Sequence, residues 1–451
     1  MNIIKEETSD TMKILGRLKR RDFSGNTGQI IKNSSWQIST AFLSKIGSML
    51  FTIIIARLML PELYGLYGLA LSTILLIGSF SDFGIGEALT TFLSKTIDKN
   101  SAKAKGYFYY ITKIRLILLV FSFIIIIFLA KWLSTSYYQK PIYFALLAGA
   151  IYFPISILSG HLSGPFIAKN NFRPQFIKEI LFQIARLTII PILIIYLLKE
   201  TSQEIYLMWV ILALALCYLI SGIYLAIEAK IKHPFNKAKQ NKLTKKEKKG
   251  IFLFIIPLSI TALSGVFFGY IDQIMLGHYV QGQFLGYYQV AFNLITSASA
   301  IISFSAAAVF PIFARLKGSQ LERGFRKTRN ITFLISVLAA IFTFLIAPYI
   351  IQFIYGSEYI TATNYLKLLS VLLISFPLIN IYTAYYISQE KTKLISILLI
   401  VSTLLNIILN YIFINIGLNY SMFHAVTGAC IATIISRYIY LAGLVISRKF
   451  K

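Results

Sequence analysis

Charged residues are scarce in this chain, and acidic residues are the scarcest of them. Only 14% of the 451 residues are charged, with 17 Asp or Glu against 44 Lys or Arg. A soluble protein of this length would form two or three domains with far more surface charge. Cysteine is also rare: Cys217 and Cys430 both lie in apolar stretches, which excludes a disulfide framework. The first 35 residues lack the short apolar core of a cleaved signal peptide.

Apolar sequence dominates the chain instead. It is 57% hydrophobic with a mean hydropathy of +0.71, and runs long enough to cross a bilayer recur from end to end. The sequence therefore predicts an all-α polytopic membrane protein with about twelve transmembrane helices. The expected spans are residues 36–57, 63–93, 106–130, 141–167, 175–198, 205–228, 250–275, 284–314, 328–354, 361–388, 393–414 and 424–447.

The basic residues are distributed unevenly between the connections. Most of them lie in the first 35 residues, in alternate connections and at the C-terminus, whereas the opposite connections hold only Arg57, Lys131, Lys140 and Lys199. Cytoplasmic loops carry such an excess, so both termini are expected in the cytoplasm of a cell-membrane protein. The net charge of +27 fits loops held at an anionic leaflet, and no nucleic-acid partner is expected.

A weak internal repeat divides the chain in two. Gly286 follows Gly65 by 221 residues, and Ala291 follows Ala70 by the same interval. Because each half has an even number of spans, the two six-helix lobes should be related by a pseudo-twofold axis along the membrane normal. The expected segments are a basic cytoplasmic tail at 1–35, an N-terminal lobe at 36–228, a basic cytoplasmic linker at 229–250 and a C-terminal lobe at 251–451.

Signatures of catalysis and metal binding are missing from the sequence. There is no Walker A run, no dinucleotide glycine fingerprint and no Gly-x-Ser-x-Gly motif. The four histidines lie on four separate predicted elements, so no metal site is expected. We therefore predict a protein that is not an enzyme and holds no cofactor, with coupling to H⁺ or Na⁺ left open.

Ionisable residues inside the spans are the candidates for function, because they are costly in hydrocarbon and usually face a cavity or a partner. Lys45, Arg186 and Arg437 lie deep in their spans and would suit an anionic group such as a diphosphate. Asp82 and Glu87 would balance them or carry a coupling proton. The alternative is that each basic group pairs with an acid and only holds helices together.

Other residues in the spans suggest moving parts. Arg57 and Asp272 lie near the outer ends of spans one and seven, at nearly equivalent positions of the repeat. The hypothesis is that they meet and latch an outer gate. Pro154, Pro191 and Pro377 lie within spans and predict helix kinks around a cavity.

Several stretches resemble one transporter family. They are ARLMLPELYGLYGLAL followed by SDFGIGEAL, YIDQIMLGHY followed by LGYYQVAFNL, and LLNIILNYIFI followed by VTGACIATIISR. The chain resembles the polysaccharide transporters of the multidrug/oligosaccharidyl-lipid/polysaccharide exporter superfamily, close to the O-antigen repeat-unit flippases. The resemblance implies two six-helix lobes around a central cavity and alternating access. Lipid II flippases have fourteen spans, so a chain of about twelve departs from them.

The expected function follows from this resemblance and from the buried basic groups. It is the movement of a lipid-diphosphate-linked oligosaccharide between leaflets, with membrane lipids, a polysaccharide polymerase and glycosyltransferases as further expected partners. A multidrug exporter of the same superfamily is the first alternative, although it should place acids rather than bases at depth. A membrane-embedded polysaccharide polymerase is the second, and it would need a sizeable outer loop.

Overall fold

The computed structural model of the chain describes residues 25–197, 201–232, 241–315 and 318–449. The predicted tail before residue 25 and residues 233–240 of the predicted linker lie outside these ranges. Within them the chain is helical and contains no β-strand. The helices are α1 Gly25–Ser79, α2 Ile85–Thr96, α3 Ser101–Trp132, α4 Tyr143–His161, α5 Gly164–Ala168, α6 Arg173–Leu197, α7 Gln203–Lys232, α8 Lys245–Tyr279, α9 Gly282–Arg315, α10 Gly318–Ile354, α11 Ala362–Leu369, α12 Leu372–Ser388, α13 Thr392–Leu418 and α14 Met422–Lys449.

The all-α polytopic architecture is confirmed. In the described ranges nine helices are long and apolar enough to cross a bilayer, and the bent pair α11–α12 makes a tenth. Helix α1 counts once among the nine, although a break divides it into two segments. Helix α9 is not among the nine, but its 34 residues would extend about 51 Å, which is long enough to cross a bilayer. Counting both segments of α1 and adding α9 brings the number to twelve. The helices are thus consistent with twelve spans.

The break in α1 lies at Leu60, whose φ and ψ are 60° and 170°. Pro61 causes it, because proline lacks an N–H and disfavours helical backbone in the residue before it. The chain therefore changes direction within the interval 58–62 that separates the first two predicted spans. The counterpart of this interval in the second half is the connection between Tyr279 and Gly282, where α8 ends and α9 begins.

Two predicted spans are less regular than expected. The span predicted at 63–93 is interrupted by a turn between α1 and α2, where Phe83 and Gly84 have φ values of 39° and 70°. The span predicted at 361–388 bends by 42° between α11 and α12, whereas α12 continues through Pro377. This bend lies about two turns before Pro377, and a kink at Pro377 itself stays a prediction. Helices α4 and α6 also continue through Pro154 and Pro191, and kinks at those residues stay predictions.

Helix ends gather at two faces of the bundle. On the first face Lys103 Nζ lies 2.5 Å from Glu247 Oε1, and Lys169 Nζ lies 3.9 Å from Asp98 Oδ1. This face carries the connections rich in Lys and Arg, and we call it the basic face. The face that carries Leu60 and the connection between α8 and α9 is called the opposite face.

The halves before and after residues 233–240 meet mainly through α1. It packs along α9 and, less extensively, along α8, so the elements that hold the sequence repeat are also those in contact. Pseudo-equivalent residues touch: a Cβ placed on Gly65 would lie 2.6 Å from the backbone nitrogen of Gly286 and 1.9 Å from the carbonyl oxygen of Gly282. Contact between equivalent positions is consistent with the predicted pseudo-twofold axis. The two helices therefore approach backbone to backbone.

This close approach makes the stability of the protein sensitive to one methyl group. We expect Gly65→Ala to lower the free energy of unfolding by about 1–3 kcal/mol, because the backbone it meets cannot move aside as a flexible side chain would. Thermal unfolding of the purified protein in detergent measures the effect. Gly265→Ala is the matched control, since its Cβ would meet nothing within 4 Å. Equal melting temperatures for the two variants would contradict the backbone contact.

Candidate functional site

A cavity of about 410 Å³ lies between the two halves, on the basic side of the glycine contact. Helices α1 and α6 form one wall, and α8 and α9 form the other. Its lining combines two basic groups with hydroxyl, amide and aromatic side chains. The described residues that line it are Lys45, Ser48, Phe51, Thr52, Tyr67, Gly68, Leu71, Ser72, Leu75, Arg186, Gly269, Tyr270, Gln273, Tyr288, Gln289, Phe292, Asn293, Thr296 and Ser297.

Arg186 is the buried cation of this cavity. Its side chain is 9% exposed, and Nη2 donates to Gln183 Oε1 at 2.6 Å and to Ser48 Oγ at 3.2 Å. The guanidinium carbon lies 4.4 Å from the centre of the Phe51 ring, so it is also held by a cation–π contact. All these partners are neutral, and the buried Nε has no hydrogen-bond partner among the described residues. Arg186 therefore brings a positive charge to the cavity wall, and it reaches the buried acid Glu179 only through Gln183, which donates to Glu179 Oε1 at 2.7 Å.

The other two predicted basic residues lie in different places. Lys45 is exposed and lines the same cavity, so the structure brings it and Arg186 together. Arg437 is absent from the described cavity lining. It lies between α8 and α14, where Nη2 donates to the Phe268 carbonyl oxygen and the guanidinium carbon is 3.3 Å from the centre of the Phe268 ring. Its predicted place among the cavity residues is wrong in this structure.

The predicted acids Asp82 and Glu87 also lie away from the described lining of the cavity. Asp82 lies in the turn between α1 and α2 and forms an ion pair with Arg115 of α3. Arg115 Nη1 lies 3.1 Å from His161 Nδ1, so the network continues into α4. Glu87 is exposed on α2. This network fixes the turn that interrupts the second span, which is the alternative reading of Asp82. The sequence analysis did not name Arg115 as the partner of Asp82, although a charged residue within an apolar run was a signal that could have identified it.

Asp272 belongs to a buried polar cluster in the second half. The carboxyl is 3% exposed and accepts hydrogen bonds from Tyr288 Oη at 2.8 Å, Asn410 Nδ2 at 2.6 Å and Thr433 Oγ1 at 2.6 Å. Three donors therefore surround one carboxyl. The amide oxygens of Asn406 and Asn410 are buried and have no partner among the described residues. The sequence showed the acid, but nothing marked the neutral asparagines and threonine as its neighbours.

The predicted pair of Arg57 and Asp272 is not formed, because each side chain has other partners. Arg57 reaches from α1 to the end of α10, where Nε donates to the Ile354 carbonyl oxygen at 2.7 Å and Nη2 donates to that of Phe353. Five residues later, Glu62 Oε2 accepts from the backbone N–H of Gln283 at 3.0 Å, at the start of α9. A cation at a helix C-terminus and an anion at a helix N-terminus are both favoured by the helix dipole. The α1 break thus carries two charged caps that join the halves.

Two further hydrogen bonds, one from a lysine and one from a tyrosine, join the halves on the opposite face. Lys140 Nζ donates to the Gly277 carbonyl oxygen at 2.7 Å, and Tyr359 Oη donates to that of Ala56 at 2.8 Å. The basic face has contacts between the halves as well: Ser259 Oγ donates to the Phe83 carbonyl oxygen at 3.0 Å. The cavity is therefore bounded by contacts between the halves on both faces.

A fold of this kind matches known proteins. A family model described as polysaccharide biosynthesis protein matches residues 30–317, more than half of the chain. The chain belongs to this family. A second model, described as MatE, matches residues 257–412, and no curated protein sequence matches the chain. The family resemblance inferred from the sequence is therefore confirmed.

Solved structures of transporters share the fold of this family member. The lipid II flippase MurJ in an inward-closed conformation superimposes with a TM-score of 0.70 at 16% identity, over 92% of this chain and 87% of that one. An inward-facing multidrug-resistance MATE family transporter of the MOP superfamily gives 0.67 at 17% identity, over 90% and 94% of the two chains. These neighbours are transporters rather than enzymes, and the chain is a multi-pass membrane protein of their fold.

The two charged caps predict how the opposite face opens. We expect Arg57→Gln to raise the population of open molecules about threefold to fivefold, because it removes a cation from a helix C-terminus. Spin labels at Ser136→Cys and Ser357→Cys, exposed positions in different halves of this face, report the distance by pulsed electron resonance. A longer-distance population should grow. Arg326→Gln, an exposed change on the basic face, is the control. Identical distance distributions in Arg57→Gln and the control would remove the gate role of Arg57.

Proposed function

We propose that this protein translocates a lipid-diphosphate-linked oligosaccharide, a polysaccharide repeat unit, between leaflets by alternating access. The observation that carries the proposal is Arg186, a buried guanidinium on the cavity wall whose bonded partners are neutral. A charge in such a place is costly unless an anion completes it. Lys45 adds a second positive charge to the same cavity. A diphosphate offers the paired oxygens that a guanidinium binds best.

The rest of the cavity wall fits a glycan. Gln273, Gln289 and Asn293 supply amide groups that hydrogen-bond sugar hydroxyls, and Tyr67 and Tyr270 supply rings for contact with sugar faces. The lipid tail would stay in the bilayer while the diphosphate and the glycan pass through the cavity. Contacts between the halves on each face would break in turn, as rocking of two halves about a fixed site requires.

The alternatives fit the cavity less well. A multidrug exporter for organic cations should place acids in its cavity, but the charged residues in the described lining are the basic Lys45 and Arg186. A polymerase would need catalytic groups in a large loop on the opposite face. The described connections there are short, such as the two residues between Tyr279 and Gly282. A flippase remains the better reading of the family membership.

The orientation and setting of the protein follow from the charge distribution. We place the basic face, both termini and the linker at 229–250 in the cytoplasm of a cell membrane, with lobes at 36–228 and 251–451. The opposite face with Arg57 and Glu62 is then the outer gate. The glycosyltransferases that build the glycan and a polymerase that consumes it are the natural functional partners of such a protein.

Binding of a diphosphate lipid tests the proposed substrate class. We expect Arg186→Gln to weaken binding of polyprenyl diphosphate to the purified protein about 10-fold to 100-fold, because a charge-assisted bidentate contact is lost. Microscale thermophoresis in detergent gives the dissociation constants. Arg448→Gln, which changes another arginine that pairs with Glu322 outside the cavity, should leave binding unchanged. Tight binding of tetraphenylphosphonium that strengthens in Arg186→Gln would instead favour the multidrug exporter.

The buried cluster around Asp272 is our proposed site of ion coupling, in place of Asp82 and Glu87. Asp272 accepts hydrogen bonds from three donors, and the unpartnered oxygens of Asn406 and Asn410 are the neutral ligands that hard cations accept. Asn406 and Asn410 are one turn apart on α13 and so share a face. The donor set fits Na⁺, which would neutralise the carboxylate and link the cluster to an ion gradient. Tyr288 joins this cluster to the cavity wall.

Sodium-dependent stability tests this assignment. We expect NaCl to raise the melting temperature of the purified protein relative to choline chloride at equal ionic strength, because a cation that binds only the folded state stabilises it. Asp272→Asn should abolish the difference. Asp82→Asn is the matched control and should keep it, since Asp82 pairs with Arg115. If only Asp82→Asn loses the sodium effect, Asp82 is the coupling acid, as the sequence predicted. If the melting temperature responds to pH but not to sodium, the coupling ion is H⁺.

A further inference from the structure

Arg437 lies one helical turn from the Asp272 cluster and has no role in the cavity. Helices α8 and α14 make two parallel contacts: Thr433 Oγ1 donates to Asp272 Oδ2, and Arg437 Nη2 donates to the Phe268 carbonyl oxygen. Phe268 precedes Asp272 by four residues, and Thr433 precedes Arg437 by four. The two contacts are therefore about 6 Å apart along the helix axis.

The present partners of Arg437 leave its charge incompletely satisfied. It stacks on the Phe268 ring and lies 5.1 Å from the centre of the Phe376 ring. Its Nε is buried and has no hydrogen-bond partner among the described residues. Asp272 is the acid that acts electrostatically on the guanidinium, yet the carboxyl is bonded to neutral groups. The structure thus holds a buried cation and a buried anion close together without direct contact.

Such a separation is informative because the two charges attract strongly in a low-dielectric interior. Asp272 needs a counter-ion whenever it is ionised inside the bilayer, and two candidates are at hand: a bound cation and Arg437. Each weakens the binding of the other to the carboxylate, since the two cations repel each other. Arginine has a long side chain with five donors, so it can exchange a carbonyl partner for a carboxylate one turn away.

We propose that Arg437 competes with the coupling cation for Asp272, so that the two serve in turn as its counter-ion. The inference rests on the proposed ion-coupling role of the Asp272 cluster. With a cation bound, Arg437 stays on the Phe268 carbonyl oxygen. Without one, Arg437 moves toward Asp272 and neutralises it. The exchange changes a contact between α8 and α14, and α8 also borders the cavity through Tyr270 and Gln273.

The affinity for sodium measures this competition directly. Sodium binding is followed by titrating NaCl into purified protein, with constant ionic strength set by choline chloride, and recording melting temperature and calorimetric heat. We expect Arg437→Gln to lower the dissociation constant for Na⁺ about tenfold or more, because the competing charge is gone. Arg437→Lys keeps the positive charge and should therefore lower the dissociation constant clearly less than Arg437→Gln does. Arg448→Gln, on the same helix but paired with Glu322, should match wild type.

The comparison of charged and neutral variants separates competition from a structural role. A merely structural Arg437 would make the glutamine and lysine variants alike in sodium affinity, and that result would overturn the proposal. Arg437→Met replaces the glutamine variant if the latter is not recovered folded, because it is neutral and suits the Phe268 and Phe376 rings. The proposal would also be overturned if Arg437→Gln bound Na⁺ but the wild-type protein did not. Arg437 would then be a permanent counter-ion of Asp272 rather than one that alternates with the cation.

The same measurements keep this inference separate from the proposed function. Unchanged sodium affinity in Arg437→Gln, with the sodium effect still lost in Asp272→Asn, would reject the competition and leave the ion site standing. Failure of Asp272→Asn to change the sodium response would reject the ion site itself. Binding of polyprenyl diphosphate depends on Arg186 in the other half, so the substrate proposal stands or falls on its own assay.

Discussion

The close approach of two helix backbones at Gly65, Gly282 and Gly286 is the contact on which the rest of the architecture depends. Any side chain at Gly65 would meet peptide groups, so α1 and α9 can adopt this distance only without one. On the basic side of the contact, Gly68 and Gln289 line the cavity, and the Gln289 side chain lies directly over Gly68. On the other side, Glu62 caps α9. Cavity and gate are thus two ends of the same helix pair, and a rotation about the glycine contact would move both.

One hydroxyl connects the cavity with the buried acid of the second half. Tyr288 forms part of the cavity wall and donates to Asp272, while Gln289 beside it contacts α1 at Gly68. A change in the charge balance of Asp272 therefore acts on a hydrogen bond that reaches the cavity. This gives the proposed ion site a physical path to the substrate site that needs no long-range mechanism.

The sequence predicted the all-α membrane fold and the family well, but it predicted the directions of side chains poorly. Depth along a span can be read from residue number, and Lys45 and Arg186, which were chosen on that basis, line the cavity. The direction around the helix axis cannot be read in the same way, because spans that are apolar on all sides show little amphipathic pattern. Arg437 and Asp82 have suitable depth but face neighbouring helices. Asn406, Asn410 and Thr433 are neutral and common in such helices, so only the packing of α13 and α14 on Asp272 reveals their role.

The partners of the buried charges separate structural from functional candidates. Arg115 meets Asp82 directly, so this pair is neutral as a whole and suits a fixed turn. Arg186 in the first half and Asp272 in the second are bonded mainly to neutral groups, and their charges are opposite. Each such charge raises the energy of the protein in a bilayer until an ion of the other sign lies against it. An anion would therefore be attracted to Arg186 in the first half, and a cation to Asp272 in the second half. Because Tyr288 borders both places, filling one alters the surroundings of the other.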